Sequence, residues 1–160
     1  MVPKQFHSKS VTYHGTIRLA GPIEMVFPLF TPEGEKGWAE GWNPQYVYPP
    51  DGTTQQGLVF RTSHSGPLIW IVSKFDSQQH EISYVILGKD TVRQLVIKCV
   101  DEGTRTSADL AHTYTSLSEE GNEIVEHHTP ERIGDEIKGW ESEINYFLKT
   151  GKQLTTPRTK

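Results

Sequence analysis

Residues 129–151, TPERIGDEIKGWESEINYFLKTG, form the only long stretch with a clear helical period, and they limit what the rest of the chain can become. Ile133, Ile137, Trp140, Ile144, Phe147 and Leu148 recur at steps of one, three or four, the stripe of an amphipathic helix. Thr129 can cap the first orphan N–H groups, Pro130 suits the first helical position, and Glu131 favours the positive end of the dipole. Lys149 and Lys152 flank the negative end, and Gly151 supplies a left-handed stop. A helix of about 18 residues spans roughly 27 Å, enough to cross a small domain. Its apolar face needs a second layer, and most of the chain before it is patterned as strands.

Residues 10–20 alternate, with Val11, Tyr13, Ile17 and Leu19 on one face, and Gly15 marks a bulge or a close approach. Residues 22–30 predict a short helix that Pro28 ends or kinks. Residues 31–44, TPEGEKGWAEGWNP, predict a second short helix, made irregular by Gly34, Gly37 and Gly41, with Trp38 and Trp42 on a shared face. Strands are expected at 46–49, 57–64, 68–76, 81–87, 91–100 and 104–117, joined by tight polar turns. Asp101-Glu102-Gly103 is the strongest hairpin signal among those turns. Residues 118–122 have turn composition, and residues 124–128 bridge to the long helix. Strands joined by tight turns make an antiparallel meander, and helices grouped apart from it make an α+β class. A sheet of about seven strands buries one face only by curling around the long helix.

Composition narrows the function. The 160 residues fit a single domain, with an ordered core over about 10–152 and tails at 1–8 and 154–160. A net charge of −4 with no basic block disfavours nucleic acid as a partner. No apolar run approaches the ~18 residues of a membrane span, so no membrane insertion is expected. The start lacks the apolar stretch of a signal peptide, which makes a cytoplasmic setting the expectation. Cys99 is the only cysteine and is expected to be buried and structural. The sequence holds no H-E-x-x-H pattern, phosphate loop or dinucleotide fingerprint, and His127-His128 are adjacent, so no metal or cofactor is expected.

The order β-α-α-β(about six)-α resembles the helix-grip fold of the START/birch-pollen-allergen (SRPBCC) superfamily, which includes polyketide cyclases and lipid-transfer domains. Gly21-Pro22-Ile23-Glu24-Met25-Val26-Phe27, after the first strand, resembles that superfamily's opening of its first helix. The 140–148 segment followed by Gly151 resembles its grip helix, and TPEGEKGWAEGWNP looks like the hallmark of a bacterial subgroup. The resemblance covers about residues 10–152. It implies a cavity for apolar ligands between helix and sheet. Catalytic residues differ between branches, so it carries over no catalytic residue.

Trp38, Trp42, Phe60, Trp70, Tyr84, Tyr114 and Trp140, with Ile137 and Ile144 of the long helix, either line such a cavity or fill it. His64 is in phase with Phe60 and Thr62; His112 and Tyr114 are in phase with Thr106, Ala108 and Leu110. Arg93 is in phase with Leu95, Ile97 and Cys99. If those faces look inward, His64 and His112 can serve as acid or base, and Arg93 can grip a carboxylate or enolate. For each, a hydrogen-bonded or solvent-facing side chain is the commoner arrangement. Glu119-Glu120 and Glu141 with Glu143 have the pattern of solvated surface. Three functions fit these residues. The first is binding of an apolar or aromatic small molecule, lipid-like or polyketide-like, and the second a cyclase or dehydratase using the same cavity. The third is an interaction module, with a homodimer as one form, docking through Trp38 and Trp42.

Overall fold

The structure is a computed structural model that describes residues 5–155; the outermost parts of the expected tails, 1–4 and 156–160, lie outside the described residues. Seven strands form one antiparallel sheet: β1 (Ser10–Leu19), β2 (Gln45–Tyr48), β3 (Val59–Thr62), β4 (Leu68–Asp76), β5 (Glu81–Leu87), β6 (Thr91–Asp101) and β7 (Thr106–Ser116). Their order across the sheet is β1-β7-β6-β5-β4-β3-β2. Only β1 leaves sequence order, pairing with β7 from Ser10↔Thr115 to Leu19↔Thr106. Between β1 and β2 lie α1 (Ile23–Val26), a 3₁₀ turn over Phe27–Phe30 and α2 (Pro32–Glu35). The expected helix over 22–30 thus tightens at Phe27, one residue before Pro28, whose ring cannot continue an α-helix.

The long helix, α4 (Pro130–Thr150), has the punctuation that its sequence specifies. Thr129 Oγ1 accepts from the Arg132 N–H, and Gly151 closes the helix with φ of 72°. Ile133, Ile137 and Ile144 are buried in the core against the concave side of the sheet. Tyr13 of β1 lies between the layers: a Cβ on Gly134 would sit 3.1 Å from its ring. The same ring folds over Gly15, which keeps regular register with Leu110, so Gly15 accommodates a close approach and not a bulge.

Three expectations need correction. The helix expected over 31–44, with Trp38 and Trp42 on a shared face, is the single turn α2, and both tryptophans lie beyond it. Residues 119–127 are a helix, α3 (Glu119–His127), not a turn and a bridge. Ser118 caps it by accepting from the Gly121 N–H, and His128 ends it with Nδ1 2.8 Å from the Ile124 carbonyl. The strand expected over 57–64 is shortened to β3, because Ser63 to Gly66 turn before β4 begins.

Along β7 and β6 the alternation holds. On β7, Thr106, Ala108, Leu110, His112, Tyr114 and Ser116 are all buried on the inner face. On β6, Leu95, Ile97 and Cys99 are buried inward, and burial pushes the Cys99 thiol up to about 12. The expected tails are also partly packed. Ser8 Oγ donates to the Ser116 carbonyl, and Leu154 is half-buried. No helix among the described residues is long and apolar enough to cross a membrane.

Candidate functional site

Between α4, the concave sheet and the segment after α2 lies a cavity of about 330 Å³. Its sheet wall is Trp70 of β4, Ile86 of β5, Arg93, Leu95 and Ile97 of β6, and His112 of β7. Glu136, Trp140 and Glu143 of α4 form its roof. Phe30, Glu35, Trp38, Ala39, Glu40 and Trp42 form its side. His64, Ser65, Leu68 and Leu154 complete the lining, and His64 is exposed.

All four tryptophans of the chain line this one cavity. Three have their N–H satisfied by protein: Trp38 by the Leu29 carbonyl, Trp42 by the Pro32 carbonyl, and Trp70 by Thr62 Oγ1, each at 2.8 Å. Those indoles are oriented by bonds directed elsewhere and offer their ring surfaces to an occupant. Trp42 meets Trp70 edge-on with centroids 5.2 Å apart, and Trp38 meets Trp140 at 6.4 Å. Trp38 is buried and Trp42 half-buried, so the pair turns inward and does not present the exposed docking surface that its sequence position allows.

The polar groups come from both layers. His112 is 2% exposed, and neither of its ring nitrogens has a hydrogen-bond partner. Buried polar atoms are rarely left so. Burial pushes its pKa down to about 3, and the positive charges of Arg93 and His128 push the same way. The ring is therefore neutral at physiological pH, with one nitrogen able to donate and the other able to accept. Arg93, half-buried, donates from Nη1 to Tyr114 Oη at 3.2 Å and lies over the rings of Trp70 and Tyr114 at 5.8 and 5.4 Å. Among the described residues it has no carboxylate partner within ion-pair distance.

Glu35 reaches the cavity because α2 folds back tightly on the preceding turn. Thr31 Oγ1 accepts from the Gly34 N–H at 3.0 Å, and a Cβ on Gly34 would lie 1.9 Å from the Pro28 carbonyl oxygen. Only glycine permits that approach. Burial pushes the Glu35 carboxyl well above the usual carboxylate range. Glu143 is raised as well, first by burial and then by repulsion from Glu40 and Glu136.

The cavity therefore gathers His64, His112, Arg93, Trp38, Trp42, Trp70 and Trp140 of the residues expected to be functional. The others belong to the core. Phe60 stacks beneath Trp70, with centroids 5.5 Å apart. Tyr84 turns its hydroxyl to the Phe30 carbonyl at 2.6 Å. Tyr114 is clasped between the rings of His112 and His128, at 4.7 and 4.3 Å. Ile137 and Ile144 lie on the core face of α4, while Glu136, Trp140 and Glu143 lie on a face turned from it by roughly 70°. Glu35 and Glu143 are the main residues that sequence reasoning missed. Glu143 carried a signal, since 136, 140 and 143 share a helical face. Glu35 carried none beyond its neighbour Gly34.

No protein-family model matches the chain, and no curated protein matches it in sequence. Solved structures do match in shape. A norcoclaurine synthase from Thalictrum flavum, a point mutant in complex with a transition-state analogue, superposes with a TM-score of 0.65 at 12% identity, covering 91% of this chain and 98% of its own. An aromatase/cyclase from a Streptomyces species gives 0.60 at 13%, covering 92% and 100%. A START superfamily protein from Mycobacterium smegmatis gives 0.62 at 11%, covering 86% and 97%. Likeness at such identities is likeness of fold, and with the seven-stranded sheet and its long closing helix it shows that this chain has the helix-grip fold of START and birch-pollen-allergen-like proteins.

Proposed function

We propose that the chain binds an aromatic or otherwise apolar small molecule that carries at least one hydrogen-bonding group, held between α4 and the sheet. The observation that carries this is His112: two buried ring nitrogens without partners, on the wall of a cavity lined by four tryptophans. An occupant whose hydroxyl or carbonyl met the ring after a small rotation toward the cavity would satisfy a group that now bears an uncompensated desolvation cost. The aromatic surfaces would supply most of the burial. Tryptophol, an indole with a neutral hydroxyl, is a suitable probe. Saturating it should raise Tm by several degrees, because a ligand at about 100 times its Kd stabilises the folded state by about 2.7 kcal/mol. No shift with tryptophol or other bicyclic aromatic alcohols would count against the reading.

A second reading is favoured by a specific convergence. His112, Arg93 and Glu35 line the same cavity, with a neutral imidazole and a carboxyl that burial makes hold its proton more tightly than usual. That is an acid and a base held apart by their environments. In a dehydration of the cyclase type, Arg93 would hold the enolate oxygen while His112 takes the α-proton, its imidazolium stabilised by the enolate charge beside it. Glu35 would give its proton to the departing hydroxyl, which leaves as water. Two of the similar structures are enzymes by name, a synthase and an aromatase/cyclase. With an aromatic β-hydroxyketone as substrate, Glu35→Gln should cut kcat by about 100-fold with little change in KM. Absence of turnover in a wild-type protein that binds the ketone would remove this reading and leave the first.

A further inference from the structure

The charge of the cavity wall is unbalanced. Four glutamates line it, Glu35, Glu40, Glu136 and Glu143, against one arginine and no lysine. Four glutamates elsewhere meet lysines: Glu33 with Lys36, Glu81 with Lys74, Glu126 with Lys9 and Glu141 with Lys138. None of the four cavity glutamates has such a partner among the described residues. The one arginine stands on the sheet wall, its charge occupied by Tyr114 Oη and two ring faces. The carboxylates stand on α4 and on the segment running from α2, among Trp38, Trp42 and Trp140. Aromatic faces interleaved with carboxylates attract organic cations, through the ring quadrupole and through direct ion pairing.

We propose that the cavity selects an organic cation, an aromatic amine whose rings lie among the four tryptophans and whose ammonium meets Glu143 and Glu35. This rests on the reading of the cavity as a ligand site and names the ligand class. The unpartnered, buried His112 is an independent sign that the same cavity awaits an occupant. The carboxyls of Glu35 and Glu143, raised by burial, would regain their charged forms beside an ammonium. The rim carboxylates Glu40 and Glu136, both exposed, would draw the cation to the opening.

Three indoles of nearly equal shape test this by calorimetry at low salt: tryptamine, a cation; tryptophol, neutral; and indole-3-propionate, an anion. Tryptamine should bind about tenfold more tightly than tryptophol, with indole-3-propionate weakest. Glu143→Gln should weaken tryptamine about tenfold more than it weakens tryptophol, with an unchanged circular dichroism spectrum showing that the variant is folded. Glu40→Gln, at an exposed site, should weaken tryptamine about two- to threefold. Equal or tighter binding of tryptophol would overturn the cation proposal and leave the ligand site standing. So would tightest binding of indole-3-propionate, or a tryptamine preference that Glu143→Gln leaves intact. Failure of all three to bind would overturn both.

Discussion

His112→Phe is expected to make the protein more stable, and most so in acid. The folded state holds the imidazole pKa near 3, against an ordinary 6.5. Between those values the unfolded chain takes up a proton that the folded one refuses. Stability contributed by the neutral ring is therefore complete above about pH 6.5 and is lost as pH falls toward 3. Each tenfold difference in proton affinity between the two states is worth about 1.36 kcal/mol, so the full loss amounts to several kcal/mol. Phenylalanine cannot take up the proton, and it removes two buried atoms that lack partners, which is worth about 1–3 kcal/mol even at neutral pH. The groups facing the ring are Tyr114 beside it, Trp140 from α4, and the charges of Arg93 and His128.

Glu35 runs the other way. Its raised carboxyl favours the folded state at low pH, and that contribution fades as pH rises through its folded pKa. The wild-type curve mixes both trends, so the difference between wild type and His112→Phe isolates the histidine. Urea midpoints at several pH values between about 4 and 7 would measure it. Parallel curves would show that His112 titrates normally and that its cavity is wetter than its burial indicates. The same variant should weaken tryptophol by about tenfold, since the ligand loses its partner on the sheet wall.

The fold was legible because its signals are local. Alternation along β7 and the stripe on α4 each follow from a period within one segment. Helix α3 was hidden because Gly121 and Asn122 give its first turn the composition of a loop. What fixes it is one local bond and one tertiary approach: Ser118 caps it, and a Cβ on Gly121 would lie 2.0 Å from the Asp90 carbonyl oxygen. The site divides in the same way. The inward direction of His112 and the phase of Arg93 follow from strand period. Glu35 points inward because Gly34 packs on Pro28, a backbone approach that no pattern encodes. Trp38 and Trp42 were legible as a pair but not in direction, which their bonds to the Leu29 and Pro32 carbonyls decide.

A pair of substitutions on α4 separates its two faces. Ile144 is fully buried and does not line the cavity, whereas Trp140 is half-buried and does. Ile144→Ala deletes packed core atoms and should cost about 2–5 kcal/mol. At temperatures where it remains folded, its affinity for tryptophol should stay within about threefold of wild type. Trp140→Ala should do the reverse. It removes the ring that meets Trp38 and His112 across the roof, at centroid distances of 6.4 Å to each, so tryptophol should bind at least about tenfold more weakly. Its stability cost should fall below that of Ile144→Ala, because half-buried indole surface returns to water without leaving a closed void. Calorimetry under conditions where both variants are fully folded gives the comparison. Equal loss of binding in the two would mean that α4 acts as a single rigid clamp whose position sets the cavity. Separate effects would mean that one helix grips the sheet with Ile133, Ile137 and Ile144 and roofs the ligand with Glu136, Trp140 and Glu143.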